Sequence, residues 1–398
     1  MDVMVVVSDL GDSGATRVTL DRAARWHEGG DHVTVLVVAW EAEGSTAALP
    51  PGLDVVRATR PGAQLRTALP RALLRAVLRA RRAEVVVSGT EVGFGLLVAR
   101  MAASLTGRPL AVTVQSRPDR AVEDYVDRPL RPITRWILRT SSLAVSVSDG
   151  LRPAIEGLGV SSRSVVVARN SVDRRDVLQQ SEAAPAVAVS VSNPTVVSSG
   201  RLEHQKGFDL LVRAHARALQ DGAPSHELVV LGEGGEREAL EALAAELGVA
   251  DSVRLPGFTP NPHSVVARSA LYVLSSRYEG FSLSLAEALA CGVPCLAFDC
   301  TAGPAEVLAG GRYGHLVAEG DVTALADGIR AHLLDPSDLR DRALSAAAGA
   351  DELFDPAAPA QVHRAHLSGL NERWTARPST ASRLRDRVVR LRRSAAGD

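Results

Sequence analysis

The stretch TVVSSGRLEHQKGFDLL, residues 195–211, carries three structural signals in succession. A β-branched apolar run (195–200) ends at a glycine, a polar turn follows, and an apolar helical period begins near Phe208. The turn holds Arg201 and Lys206, the only lysine in the chain. Outward from it the same unit repeats. Downstream, strand-like runs occupy 227–234, 253–258, 270–276, 293–299 and 314–320, joined by helical runs such as EREALEALAAELG at 236–248. Upstream they occupy 3–9, 32–39, 83–89, 110–116, 143–149 and 164–173, with a helical period at 14–29 after the first. Such alternation calls for parallel sheets covered by helices on both faces. Between the two series, VLQQSEAAPAVAVSVSNP (177–194) is rich in Ala, Ser and Pro and poor in charge, as a linker is. The expected fold class is α/β, with two doubly wound, Rossmann-like domains facing across a cleft. The expected boundaries are a first domain at 1–176, a linker at 177–194 and a second domain at 195–355. A helix at 356–376 is expected to return to the first domain, and a basic tail fills 377–398. Ligands of such sheets sit at the carboxyl ends of the strands, so the cleft is the expected site.

A chain of 398 residues with 46% hydrophobic and 23% charged content fits a globular protein of two domains. Nothing approaches the apolar length of a membrane span. The start, MDVMVVVSDLGDSG, reads as a first strand and turn rather than a signal peptide. Cys291, Cys295 and Cys300 lie in one segment, odd in number and without histidines at ligand spacing. Buried, reduced thiols and a cytoplasmic location are expected, and no metal site. Net charge is −1, but residues 1–180 carry 24 arginines against 19 acids, and 377–398 carry seven against two. Residues 181–376 carry 14 basic against 25 acidic. That asymmetry suits an anionic surface met by the first half and the tail. No nucleic-acid motif accompanies it.

Two segments carry chemistry. In SSRYEGFSLSLAEALACGVP (275–294) a strand ends, Glu279 and Gly280 turn the chain, and a helix begins near Ser282. The amides of Phe281, Ser282 and Leu283 are then the free donors of a helix start, which favours a diphosphate. Glu287 lies about 7.5 Å further along the helix, at 1.5 Å per residue, where its carboxylate can accept both hydroxyls of a ribose. Glu279 faces whatever lies beyond the diphosphate. Taken singly, either glutamate reads equally well as a solvated surface residue. In the 195–211 stretch, Arg201 supplies a planar fork and Lys206 a compact charge, and together they can neutralise a diphosphate leaving group.

The combination resembles the nucleotide-sugar glycosyltransferases of GT-B fold, specifically glycosyltransferase family 4 and its bacterial polysaccharide-type members. The matching elements are GRL…QKG at 200–207, Glu279 and Glu287, the following ALACGVP, and FDCTAGPAEVLAGGRYGHLV at 298–317. RNSVD (169–173) and DHVTVLV (31–37) add weaker likeness. The resemblance implies that Arg201 and Lys206 bind the donor diphosphate and that Glu287 holds the ribose. Glu279, with Gly280 and the amides of Phe281, Ser282 and Leu283, would hold the transferred sugar. Gly14 would let the first domain approach the phosphates, and Phe258 and Thr259 would touch the base. The implied reaction is retaining, needs no metal or cofactor, and moves a hexose-type sugar from an NDP-sugar, commonly UDP-linked, to a hydroxyl acceptor. Gln115 stands where the family often has a histidine near the donor sugar.

Arginine-rich helical runs at 71–82 and 128–139 suggest a lipid-linked or polysaccharide acceptor and a peripheral place on the inner face of the plasma membrane. The tail segment 382–394 has the same basic amphipathic character. Two other readings stay open: a GT-B isomerase of the UDP-sugar 2-epimerase type, and a non-catalytic sugar-nucleotide binder.

Overall fold

The computed structural model describes residues 1–10, 13–39, 49–59, 65–185, 187–189 and 193–376. The basic tail at 377–398 lies outside the described residues. Among the described residues, thirteen strands form two all-parallel sheets. The first holds β1 (Asp2–Val7), β2 (His32–Val37), β3 (Asp54–Arg57), β4 (Val85–Ser88), β5 (Leu110–Val114), β6 (Leu143–Ser146) and β7 (Val165–Val167). The second holds β8 (Thr195–Ser199), β9 (Glu227–Leu231), β10 (Val253–Gly257), β11 (Leu271–Leu274), β12 (Cys295–Asp299) and β13 (His315–Ala318). Their orders are β3-β2-β1-β4-β5-β6-β7 and β10-β9-β8-β11-β12-β13.

Both orders reverse direction at one place, between β1 and β4 in the first sheet and between β8 and β11 in the second. Loops leaving adjacent strands there diverge to opposite faces and open a crevice. The GRLEHQKG turn leaves β8, and the YEGFS turn leaves β11. The two motifs singled out in the sequence therefore flank the switch point of the second sheet.

The strands are apolar on both sides because helices cover both sides. Val3, Val5 and Val7 face one core cluster, while Met4 and Val6 face another. The helix Ala357–Thr375 packs Ala360, Leu367 and Leu370 into the first of these clusters. The Trp26 indole donates to the Ala360 carbonyl at 2.9 Å, and Arg364 pairs with buried Asp31 at 2.8 Å. This helix is thus tied to the domain that begins the chain.

The boundary region departs from the sequence expectation. Residues 174–181 form a helix, Arg174–Ser181, whose N-cap Asp173 accepts from the backbone of Arg175 and Asp176. Val177 enters the core of the second domain. The linker expected from 177 therefore starts with helix, because Asp173 caps it and it packs against the helices His263–Val266 and Leu283–Ala290 of the second domain.

Buried histidines give the fold a pH dependence. His226 Nδ1 donates to the Pro224 carbonyl, so its Nε2 accepts from His215 Nδ1 at 3.0 Å. His215 Nε2 then accepts from the Ser252 hydroxyl at 2.9 Å. Burial, and then the neighbouring His226, pull the His215 pKa down to about 3. Burial also lowers His226, and it lowers His363 together with Arg22 and His366. An imidazole with a depressed native pKa binds its proton more readily when unfolded, so stability rises with pH across that window. The melting temperature is expected to be level above about pH 6.5, the unfolded value, and to fall steadily on acidification below it. Calorimetry between neutral and mildly acidic pH checks this, and a flat profile there contradicts it.

Candidate active site

The site is built where the carboxyl ends of both sheets meet. Lys206 closes the short 3-10 turn His204–Lys206, followed by Gly207 in a left-handed conformation (φ 61°). A Cβ on Gly207 would run into the Ser275 carbonyl, so the two motif turns press backbone to backbone. The Ser275 hydroxyl donates to the Lys206 carbonyl at 3.0 Å. With its main chain fixed, Lys206 directs its ammonium to Glu279 Oε1 at 2.6 Å, and the Ser276 hydroxyl donates to the same oxygen at 2.6 Å. Glu279 is buried, at 5% exposure, which requires such partners.

Ser282 starts the helix Leu283–Ala290 with φ 68°, a strained value for a residue other than glycine. Its hydroxyl oxygen is buried and has no hydrogen-bond partner. A buried polar atom and a left-handed backbone at a helix start suit a site shaped for an anion. One and a half turns into that helix is Glu287, also buried.

The first domain closes over these groups. Ser13 caps the helix Gly14–Glu28, accepting from the Thr16 amide at 3.1 Å. A Cβ on Gly14 would lie 2.9 Å from Leu283 Cδ1, so the glycine admits the opposite helix. One turn on, Arg17 reaches across and forms an ion pair with Glu287. On the other side, a Cβ on Gly280 would fall well inside contact of the Gln115 carbonyl oxygen. The Gln115 amide is engaged within its own domain, accepting from Asn170 at 3.2 Å and donating toward Thr19 and Gly89.

Arg201 is turned toward Tyr125 of the first domain. Its guanidinium lies 5.0 Å from the centre of the Tyr125 ring and donates to the Tyr125 hydroxyl at 3.1 Å. That hydroxyl in turn donates to Gln205 Oε1 at 2.7 Å. Tyr278 donates to Asp124, and burial followed by this bond raises its phenol pKa. Beyond the cleft, Glu306 accepts from the Gly150 and Asp149 amides at 2.7 and 3.1 Å. Thr259 is buried and Phe258 exposed on the loop after β10, whose Gly257 accepts from Gly232. That places them at the same sheet end, next to the loop that packs on the Arg201 turn.

Three groups at the site were not among the residues singled out from the sequence. Arg17 is one of many arginines. Buried His263 feels the opposed charges of Glu287 and Arg17, and burial lowers its pKa. Glu91, 2% exposed, accepts from the Gln115 and Ser116 amides at 2.9 and 3.0 Å and from the Ser116 hydroxyl at 2.7 Å. Burial raises its pKa against those bonds. An acid following the buried strand 85–88 was the available signal for Glu91. All three cysteines are free, and burial, then Glu287, push the Cys291 thiol up to about 12. Among the described residues no cluster of three or more His, Cys, Asp or Glu could hold a metal ion.

The chain is similar to known proteins over most of its length. Residues 13–171 match the family described as glycosyl transferase 4-like domain, and residues 180–349 match glycosyl transferases group 1. A 4-alpha-N-acetylgalactosaminyltransferase of Campylobacter jejuni, named for a diphospho-undecaprenol substrate, is 29% identical over 185 residues, 46% of this chain and 48% of that protein. The lipopolysaccharide 1,6-galactosyltransferase of Escherichia coli is 26% identical over 235 residues, 58% of this chain and 62% of that protein. The chain thus matches about half to two thirds of these relatives' lengths. In fold, the Anabaena HepE protein crystallised with UDP and glucose superposes with a TM-score of 0.74 at 22% identity. That match covers 92% of this chain and 99% of the Anabaena chain.

Replacing Glu91 with alanine strands two amides and a hydroxyl. The expected loss of stability is about 3 kcal/mol in chemical denaturation, from roughly 1 kcal/mol or more per unpaired group. A loss below about 0.5 kcal/mol, the range of an uninvolved surface site, would show that the brace is dispensable.

Proposed function

Because the chain belongs to the GT-B glycosyltransferases, a 4-like domain followed by a group 1 domain, we propose that it transfers a hexose-type sugar from a UDP-sugar to a hydroxyl acceptor. The observation that carries this reading is the meeting of Arg17, Lys206, Glu279 and Glu287, drawn from both domains, at the start of the helix Leu283–Ala290. Two carboxylates flanking a helix start and two cations suit a ligand with hydroxyls at both ends and phosphates between.

In the proposed complex the diphosphate rests on the amides of Phe281, Ser282 and Leu283, with Lys206 between its phosphates. Arg201 swings from Tyr125 to join it. Glu287 exchanges Arg17 for the ribose hydroxyls, and Arg17 is then free to face the phosphates. Glu279 and the Gly280 backbone orient the sugar, and Phe258 and Thr259 lie on the loop nearest the base. The bond from the anomeric carbon to the phosphate oxygen breaks, and the acceptor oxygen bonds to that carbon on the same face. The acceptor proton passes to the departing phosphate, whose charge Lys206 and Arg201 stabilise without a metal. Anomeric configuration is retained. The relatives named above, acting on undecaprenol-linked and lipopolysaccharide substrates, support a lipid-linked or polysaccharide acceptor. Free thiols support a reducing compartment, the cytoplasm.

The engagement of Gln115 inside its own domain favours one second reading, a binder that holds the sugar nucleotide without turnover. A thermal-shift panel of UDP-, GDP-, ADP- and TDP-sugars tests the donor, since a ligand raises stability by mass action. UDP-sugars are expected to give the largest rise. Release of UDP on adding a hydroxyl acceptor then separates a transferase from a binder, and a new UDP-sugar formed without acceptor would mark an isomerase.

Lys206→Ala and Glu287→Ala are each expected to lower kcat/KM by tenfold or more, about 1.4 kcal/mol per decade. Lys206→Arg is the sharper variant. The lysine stem lies along Gly200, where a Cβ would sit 3.3 Å from Lys206 Cε, and a guanidinium is broader than an ammonium. Full activity in the arginine variant would mean that the shape of the cation is immaterial.

A further inference from the structure

Away from the cleft, three helices of the first domain lie side by side: Leu65–Ala80, Phe94–Thr106 and Arg131–Thr140. The first two pack along their lengths. The third is joined to the second by Arg100, whose guanidinium lies 4.6 Å from the Trp136 ring centre and donates to the Thr140 carbonyl. Ala72, Ala76 and Ala80 turn one side of the first helix to the sheet. The opposite side is open to solvent and carries apolar side chains among its arginines. Of the twelve large hydrophobic side chains exposed among the described residues, seven stand on these three helices. Leu105 is 66% exposed, Leu74 60%, Leu78 51% and Trp136 46%, with Met101 and Ile133 beside them.

The charge on the three helices themselves has a single sign, although Arg79 and Arg135 pair with Asp54 and Glu123 of neighbouring elements. Residues 65–82 contain six arginines, 94–108 two and 128–140 four, and none of the three segments contains an aspartate or glutamate. Next to the face lies a groove of about 590 Å³ lined by Arg100, Arg108 and Arg139 with Ser104, Ser141 and Ser142, a donor set suited to phosphate. A solvated helix face does not need the leucines, and a nucleic-acid surface does not need them either. Exposed apolar side chains among arginines match a bilayer interface, where the apolar groups enter the acyl boundary and the guanidinium groups meet anionic headgroups.

We propose that this three-helix face docks the protein onto an anionic bilayer surface. The helix Phe94–Thr106 begins beside Ser8, at the end of β1, where the Gly95 amide donates to the Ser8 hydroxyl at 3.1 Å. The apolar row therefore leads from the bilayer toward the cleft mouth, and an acceptor carried on a lipid reaches the site along it. This deepens, and rests on, the lipid-linked acceptor proposed above. Among the described residues no helix is long and apolar enough to cross a membrane, so attachment through this face is peripheral.

The test uses the full chain and needs neither donor nor acceptor. It is sedimented with vesicles of phosphatidylglycerol mixed with phosphatidylcholine, and with vesicles of phosphatidylcholine alone. Binding to the first but not the second, weakening as salt is raised, is expected. A triple variant, Leu78→Ser, Leu105→Ser and Trp136→Ser, is expected to bind at least tenfold more weakly while turning over a water-soluble acceptor as before. Brominated lipid provides a second readout on the native chain, quenching fluorescence that is lost in Trp136→Phe. Equal binding to both vesicle types, binding to neither, a triple variant that binds like the native chain, or no quenching would overturn the proposal. So would a native dimer that the triple variant dissolves, since a second copy would then cover the face. Failure here leaves the transferase reading intact, and failure to release UDP leaves the vesicle result intact.

Discussion

The two halves of this protein come together through a contact between main chains. Gly280, in the turn after β11, meets the carbonyl of Gln115, at the end of β5, with no room for a side chain between them. That closeness sets the distance of the other groups. It brings Arg17 within reach of Glu287, Tyr125 within reach of Gln205 and Glu306 within reach of the Gly150 amide. Glu91 braces the Gln115 side from inside the first domain, and the paired Lys206 and Glu279 stiffen the Gly280 side. A contact that admits only glycine holds its geometry because neither side has a rotamer to change.

Burial makes the site's charges interdependent. Glu279 and Glu287 are both removed from solvent, and an unpaired carboxylate there is costly. Each therefore holds a cation, Lys206 in one case and Arg17 in the other. A ligand offering hydroxyls to the glutamates and phosphates to the cations exchanges one satisfied set for another. On the proposed reading, such an exchange lets a nucleotide-sugar bind without leaving a charge stranded. The left-handed Ser282, with its unpartnered hydroxyl, is a strained element of that arrangement.

The domains also divide the protein's surface. The second has an acidic balance, and the outer helices of the first carry arginine and leucine together. The proposed docking face and the proposed donor site thus belong to different domains, joined at the crevice where both sheets reverse strand order.

Strand–helix alternation determined the fold class, because parallel strands buried on both faces leave apolar runs that differ visibly from amphipathic helices. Turn composition singled out the 200–207 and 279–283 segments, and the structure brings Lys206 and Glu279 of those turns together. Helix at 174–181 was hidden because it is short, with Val177 its one buried side chain, and its support comes from second-domain helices remote in the chain. Arg17, His263 and Glu91 were hidden for a different reason. Their partners are remote in the chain, with Arg17 and Glu287 separated by 270 positions. The sequence by itself determined which local units form and which turns carry charge. Only the tertiary structure decided which charges meet, because pairing across the cleft depends on how closely two backbones can approach, and no local pattern encodes that distance.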